Sequence, residues 1–137
     1  MIRKIYTKNK EVINYIFFGI LTTIISLCTY YLLTISLFNP DNGIELQIVN
    51  VISWFLSVLF AYITNRKYVF NSKNNSVLSE CSKFFTSRII TLILDILIMF
   101  LGVTILKFND KVIKIISQII IIIANYLLSK LFVFKKK

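Results

Sequence analysis

The chain contains no histidine, which excludes histidine-based catalysis and histidine metal sites at the outset. Its two cysteines, Cys28 and Cys81, fit no metal-binding spacing. Cys28 lies inside an apolar run and Cys81 in a segment read as a cytoplasmic loop, which argues against a disulfide. With only three glycines there is no Gly-rich phosphate loop, and no nucleophile elbow appears. The sequence therefore predicts no enzyme, no metal and no cofactor. Acidic residues are also scarce, six against sixteen Lys and Arg, giving a net charge of +10.

What is present is apolar. Hydrophobic residues make up 57% of the chain and charged ones 16%, with a mean hydropathy of +0.78. Soluble domains carry about a quarter charged residues. Here the charges also sit in blocks, and that clumping excludes a water-soluble core. The length allows one domain, residues 1–137, and no separate soluble module. In a soluble protein such a basic balance would suggest nucleic acid. Here the basic residues flank apolar segments, so anionic headgroups of a lipid bilayer explain them and no nucleic acid is expected.

The expected fold is an all-α membrane protein with four transmembrane helices. A span needs about 20 mainly apolar residues. The segments are 12–38, 46–64, 84–106 and 115–134. The first apolar run is too long for a signal peptide and reads as a mature span. It closes at Asn39-Pro40-Asp41-Asn42-Gly43, and a polar loop, Asn71 to Lys83, separates the second and third spans. Isoleucines Ile119 to Ile123 have strand propensity, but an isolated strand cannot satisfy its backbone in lipid. Arg3, Lys4, Lys8 and Lys10 crowd the N-terminal tail, and Arg66, Lys67, Lys73, Lys83 and Arg88 crowd the middle loop. Lys130, Lys135, Lys136 and Lys137 crowd the C-terminal end; the last three read as a topological anchor. The other two loops hold none and three, so both termini are placed on the cytoplasmic side.

The chain also repeats itself. Ala61 to Phe70 and Asn125 to Phe134 both run from an aromatic through a polar–basic pair to aromatic-Val-Phe. Tyr15 and Gly19 parallel Phe84 and Arg88. The expectation is two tandem helix pairs. Tyr68, Phe70, Phe132 and Phe134 would fall in the interfacial aromatic belt.

Each span carries a polar or small stripe. These are Gly19, Thr22, Ser26 and Thr29; Asn50, Ser53, Ser57, Ala61 and Thr64; Arg88, Thr91 and Asp95; and Lys114, Gln118, Asn125 and Ser129. Lipid cannot satisfy such groups, so the stripes should face one another. Small and hydroxyl residues at such positions usually pack helices. Ionisable residues differ, because a mid-bilayer charge costs at least ~2.5–3.5 kcal/mol. Asp95 lies about eleven residues, roughly 16 Å, past the cytoplasmic end of its span. One reading pairs Asp95 with Arg88, bridged by Thr91 or water; the other makes Arg88 an anion site and Asp95 its counter-charge or a proton carrier. Lys114 reads either as a snorkelling anchor or as a ligand contact.

These pieces together resemble the GtrA-like membrane protein family. The resemblance runs from Asn14 to Phe134, through Tyr15-Ile16-Phe17-Phe18-Gly19 and Asn65-Arg66-Lys67-Tyr68-Val69-Phe70. It continues in Phe84-Phe85 with Arg88 and Asp95, and in Asn125-Tyr126 through Val133-Phe134. By motif, Ala61, Asn65, Val69, Phe70 and Asn125 take family positions, whereas Thr22, Ile20 and Ser129 depart from the pattern. The resemblance implies a flippase in the bacterial cell membrane. It would move a polyprenyl-phosphate-linked sugar, made by a membrane-associated glycosyltransferase, for polysaccharide or teichoic-acid glycosylation.

Under that reading Arg66, Arg88 and Lys130 gather the phosphate at the inner face. Asn65 and Asn125 hydrogen-bond sugar or phosphate within a polar groove that Asp95 and Gln118 also line, and Lys114 receives the anion outside. A homodimer would help four short helices enclose a path. One rival is a non-transporting subunit that anchors or activates the glycosyltransferase. The other is a small drug or cation exporter using Asp95.

Overall fold

The computed structural model describes residues 1–39 and 41–135. Pro40, Lys136 and Lys137, parts of the predicted first turn and basic anchor, lie outside the described residues. The described chain is helical, with no strand among the described residues, and divides into two compact units, Met1–Ser72 and the residues from Lys73 onward. Four helices are long and apolar enough to cross a membrane.

The first unit opens with a short helix, α1 (Ile2–Lys8), where the sequence predicts only a tail. Ile2, Ile5 and Tyr6 recur at helical spacing opposite Arg3, Lys4 and Lys8, the pattern of a helix lying along a membrane surface. Asn9 breaks the path before α2 (Lys10–Ser36). Inside α2, Thr22, Thr23, Thr29 and Thr34 each donate to the carbonyl one turn back, so their hydroxyls need no other partner in lipid.

Helix α3 (Gly43–Thr64) is nucleated by Asn42, whose side chain accepts from the Ile44 amide. Glu45 reaches back to accept from the Asn39 amide at 2.6 Å and from Asn42 Nδ2 at 3.3 Å, closing the turn. A π-helical turn, Asn65–Val69, continues the helix. It ends where Asn71 turns left-handed (φ 48°) and the Ser72 amide bonds to the Arg66 carbonyl at 2.9 Å.

The second unit follows the same plan. Helix α4 (Val77–Met99) starts ahead of the predicted Phe84, taking in part of the polar loop. Glu80 in its first turn suits the positive helix end, and Ser82 and Thr86 bond back to carbonyls a turn earlier. A π-helical turn, Phe100–Ile105, carries α4 to a left-handed Lys107 (φ 55°). Asn109 caps α5 (Asp110–Leu128) as Asn42 caps α3, accepting from the Lys111 amide at 2.9 Å. A third π-helical turn, Ser129–Val133, closes the unit.

Both closing turns fall on the repeated motif. Val69, Phe70, Val133 and Phe134 are buried, whereas Tyr68 and Phe132 are exposed. Of the four aromatics expected in an interfacial belt, Tyr68 and Phe132 are open to the surroundings, whereas Phe70 and Phe134 are packed inside their units. The π turn adds a residue to the helical circuit and swings its last aromatic inward. In the first unit Asn14 Nδ2 donates to the Tyr68 carbonyl at 3.2 Å, and Phe18 stacks on Tyr68. In the second, Phe84 and Phe134 meet with ring centroids 6.0 Å apart, and Lys83 lies over Phe132.

Candidate functional site

The chemistry concentrates on the facing sides of α4 and α5. Along α4 the inward positions are Glu80, Phe84, Ser87 and Thr91, all buried, with Arg88 and Asp95 beside them half-buried. On α5 they are Ser117 and Asn125, continued by Ser129 at the start of the π-helical turn, with Ser117 and Ser129 fully buried. The period of the helix aligns these rows, and the two polar rows then bond to each other.

Three contacts define the file. The Thr91 hydroxyl donates to Asn125 Oδ1 at 2.8 Å. Lys114 Nζ donates to Asp95 Oδ2 at 2.8 Å, forming an ion pair. Ser117 donates to the other Asp95 oxygen, Oδ1. Asp95 thus pairs with Lys114 and not with Arg88, and Thr91 bridges to Asn125 instead of to Asp95. Lys114 turns inward to a carboxylate, so it is no simple snorkelling anchor.

Arg88 has a different setting. Its guanidinium lies 4.5 Å from the centroid of the Phe84 ring, and no carboxylate pairs with it among the described residues. Stacking holds the side chain in place and leaves its fork of donors for another acceptor. Asn125 is prepared in a similar way. Its carbonyl oxygen is occupied by Thr91, which leaves its amide donors facing outward from that bond.

The other predicted residues scatter. Lys130 lies over the Tyr126 ring at 5.6 Å, at the motif end of α5. Gln118 is exposed, and the buried place beside Lys114 belongs to Ser117, three positions on. Asn65 and Arg66 belong to the first unit, where Asn65 is buried with its Oδ1 lacking a hydrogen bond. Ala61 and Val69 are buried packing positions, as is Val133 in the second unit.

Sequence reasoning passed over Ser87, Ser117 and Glu80. A signal for Ser117 existed, since the register that aligns Asn65 with Ser129 also aligns Ser53 with Ser117. The register aligning Tyr15 with Phe84 likewise aligns Glu11 with Glu80 and Thr22 with Thr91. The units diverge in charge. Where the second has Arg88, Asp95, Lys114 and Asn125, the first has Gly19, Ser26, Asn50 and Ala61. Among the described residues no cluster of three potential metal ligands occurs.

A family profile described as "GtrA/DPMS, transmembrane domain" matches residues 14–134. The chain is 38% identical over 125 residues to the "uncharacterized membrane protein YwcD" of Bacillus subtilis, covering 89% of this chain and 94% of that one. It is 38% identical over 130 residues to the "cell wall teichoic acid glycosylation protein GtcA" of Listeria monocytogenes, covering 93% and 86%. The protein of the same name in Listeria innocua is 39% identical over 134 residues, covering 95% and 89%. No solved structure matches the chain.

Proposed function

Since this chain belongs to the GtrA/DPMS transmembrane-domain family, we propose that it carries a polyprenyl-phosphate-linked monosaccharide across the bacterial cell membrane for teichoic-acid or related surface-glycan glycosylation. The observation that carries this reading is Arg88, a cation within an apolar span with an aromatic ring beneath it and no carboxylate partner among the described residues. A charge in that position is retained for a partner or a pathway. An anion supplies what the protein does not.

A phosphodiester-linked sugar suits the donors at these positions. Arg88 and Lys130 bind the phosphate near the motif end of the second unit, and Asn125 donates to phosphate or sugar oxygens. Lys114 meets the anion toward the opposite end. Asn65 and Arg66 hold the equivalent end of the first unit and take the same kind of role there. The prenyl tail stays in lipid throughout, so only the head group needs polar company. A membrane-associated glycosyltransferase supplies the substrate, and the basic N-terminal tail, middle loop and C-terminus face the cytoplasm.

The test is leaflet exchange of a polyprenyl-phosphate monosaccharide in liposomes. The protein should accelerate exchange well above empty liposomes, and Arg88→Gln should remove most of that acceleration. Exchange no faster than in empty liposomes, with the protein shown to be inserted, defeats the proposal. Normal exchange in Arg88→Gln with failed recruitment of the glycosyltransferase would favour the subunit role instead.

A further inference from the structure

The Lys114–Asp95 pair has a geometry suited to exchange. Asp95 is held from two sides, by Lys114 on one oxygen and Ser117 on the other. Its two partners differ in freedom. Ser117 is fully buried, while the Lys114 side chain is 48% exposed against 19% for Asp95. One partner is fixed and the other can leave.

We propose that Asp95 is a proton-linked counter-charge: an anion that draws Lys114 away from it makes Asp95 bind one proton. This rests on the anionic ligand proposed above. When the ammonium turns from Asp95 Oδ2 to a phosphate oxygen, the carboxylate keeps only the Ser117 hydroxyl, within an apolar span. An ionised carboxyl so placed is strongly disfavoured, and one proton from water neutralises it. Ser117 suits both states, because a hydroxyl donates to a carboxylate and accepts from a carboxylic acid. The balance closes. Lys114 stays charged, the anion brings one negative charge, the proton brings one positive charge, and both leave together when the ammonium returns.

No other group on the neighbouring elements substitutes for Lys114. Helix α5 brings Asp110, Lys111 and, near its far end, Tyr126 besides Lys114, the Phe100–Ile105 turn brings no charge, and the Ser129–Val133 turn brings Lys130. On α4 itself the ionisable residues are Glu80, Cys81, Lys83 and Arg88, and Arg88 lies two turns away. The ion pair of Asp95 among the described residues is with Lys114. The first unit has Ser26 and Asn50 at the corresponding places, so this device exists once per chain.

The sign of the proton change identifies the ligand class. An anion competing for Lys114 causes proton uptake, whereas a cation competing for Asp95 causes none or drives release. The purified full-length protein, in weakly buffered detergent micelles with a pH indicator, is mixed with a polyprenyl-phosphate monosaccharide. That phosphodiester has one charge, which does not titrate near neutral pH. About one proton should be taken up per lipid bound, and affinity should rise by up to about tenfold per unit fall in pH. Lys114→Gln, left with Arg88 and Lys130 to hold the phosphate, should bind more weakly and with no proton uptake. Wild-type binding without proton uptake overturns the inference, as does uptake that persists in Lys114→Gln. Those results leave leaflet exchange standing, while absent exchange defeats the transport reading itself.

Discussion

The hydroxyl of Thr91 on α4 donates to the side-chain oxygen of Asn125 on α5 at 2.8 Å, a polar bond between two spans. It leaves the two residues with unequal duties. Thr91 has a second acceptor in the Arg88 carbonyl at 3.0 Å, so its hydroxyl stays satisfied if Asn125 is lost. Asn125 has amide donors that the bond does not use.

Thr91→Val and Asn125→Ala should therefore separate stability from transport. Thr91→Val removes the donor while keeping shape, and interhelical bonds of this kind are worth about 0.6–1.7 kcal/mol. It should lower the unfolding midpoint in detergent and retain substantial leaflet exchange. Asn125→Ala should cost less stability and lose most exchange. Equal loss of exchange in both variants would show that the bond, not the amide donors, matters.

Three buried serines should respond with opposite signs. Ser53 and Ser129 have hydroxyl oxygens with no hydrogen-bond partner, while Ser117 donates to Asp95. A buried unpaired hydroxyl costs about 1–3 kcal/mol, so Ser53→Ala and Ser129→Ala should each raise stability by a part of that. Ser117→Ala should lower it, because Asp95 then keeps one partner. The contrast is sharp, because Ser53 and Ser117 occupy corresponding places in the two units. Thermal unfolding of the three variants in one detergent decides it, and destabilised Ser53→Ala and Ser129→Ala would refute the assignment.

The close approach at Gly102 gives a packing prediction. A Cβ there would lie 2.7 Å from Ile113 Cγ2, and a β-branched residue in a helix has little freedom to turn away. Gly102→Ala should cost about 1–3 kcal/mol as overpacking. Ile113→Ala in the same chain should recover much of that loss. Gly19→Ala meets no atom within 4 Å and should stabilise its helix by up to about 1 kcal/mol. A Gly102→Ala protein that unfolds like the wild type would show that α5 shifts freely.

Four spans were legible in the sequence because hydrophobic length is a local property that neighbours do not alter. The pairing of helices was legible through the repeated motif ending in Val69-Phe70 and Val133-Phe134. Which polar residues meet was not. Lys114, Gln118 and Asn125 share one arc of α5, and periodicity alone cannot rank Gln118 against Ser117 at its edge. Packing against α4 made that choice, burying the smaller serine beside Asp95. The π turns were also hidden, since they depend on how the helix ends are capped. Asn65, Phe100 and Ser129 mark their starts, yet none of these residues has a π-helical preference to read.

Topology remains the premise on which the order of the site depends. By the count of Lys and Arg, the loop around Asn74 is expected inside and the turn at Phe108 outside. The turn itself carries Lys107, Lys111 and Lys114, so this side is not free of basic charge. Lys114, however, is engaged with Asp95, which removes it from any count of unpaired flanking charges. With Cys28 and Cys81 replaced by Ser, a single cysteine at Asn74 should react with a membrane-impermeant maleimide only after permeabilisation. One at Phe108, which is 60% exposed, should react in intact cells. Reversed labelling would turn the chain over in the bilayer. Lys114 and Asp95 would then lie nearer the cytoplasm, and the anion would meet the proton-linked pair before it reached Arg88.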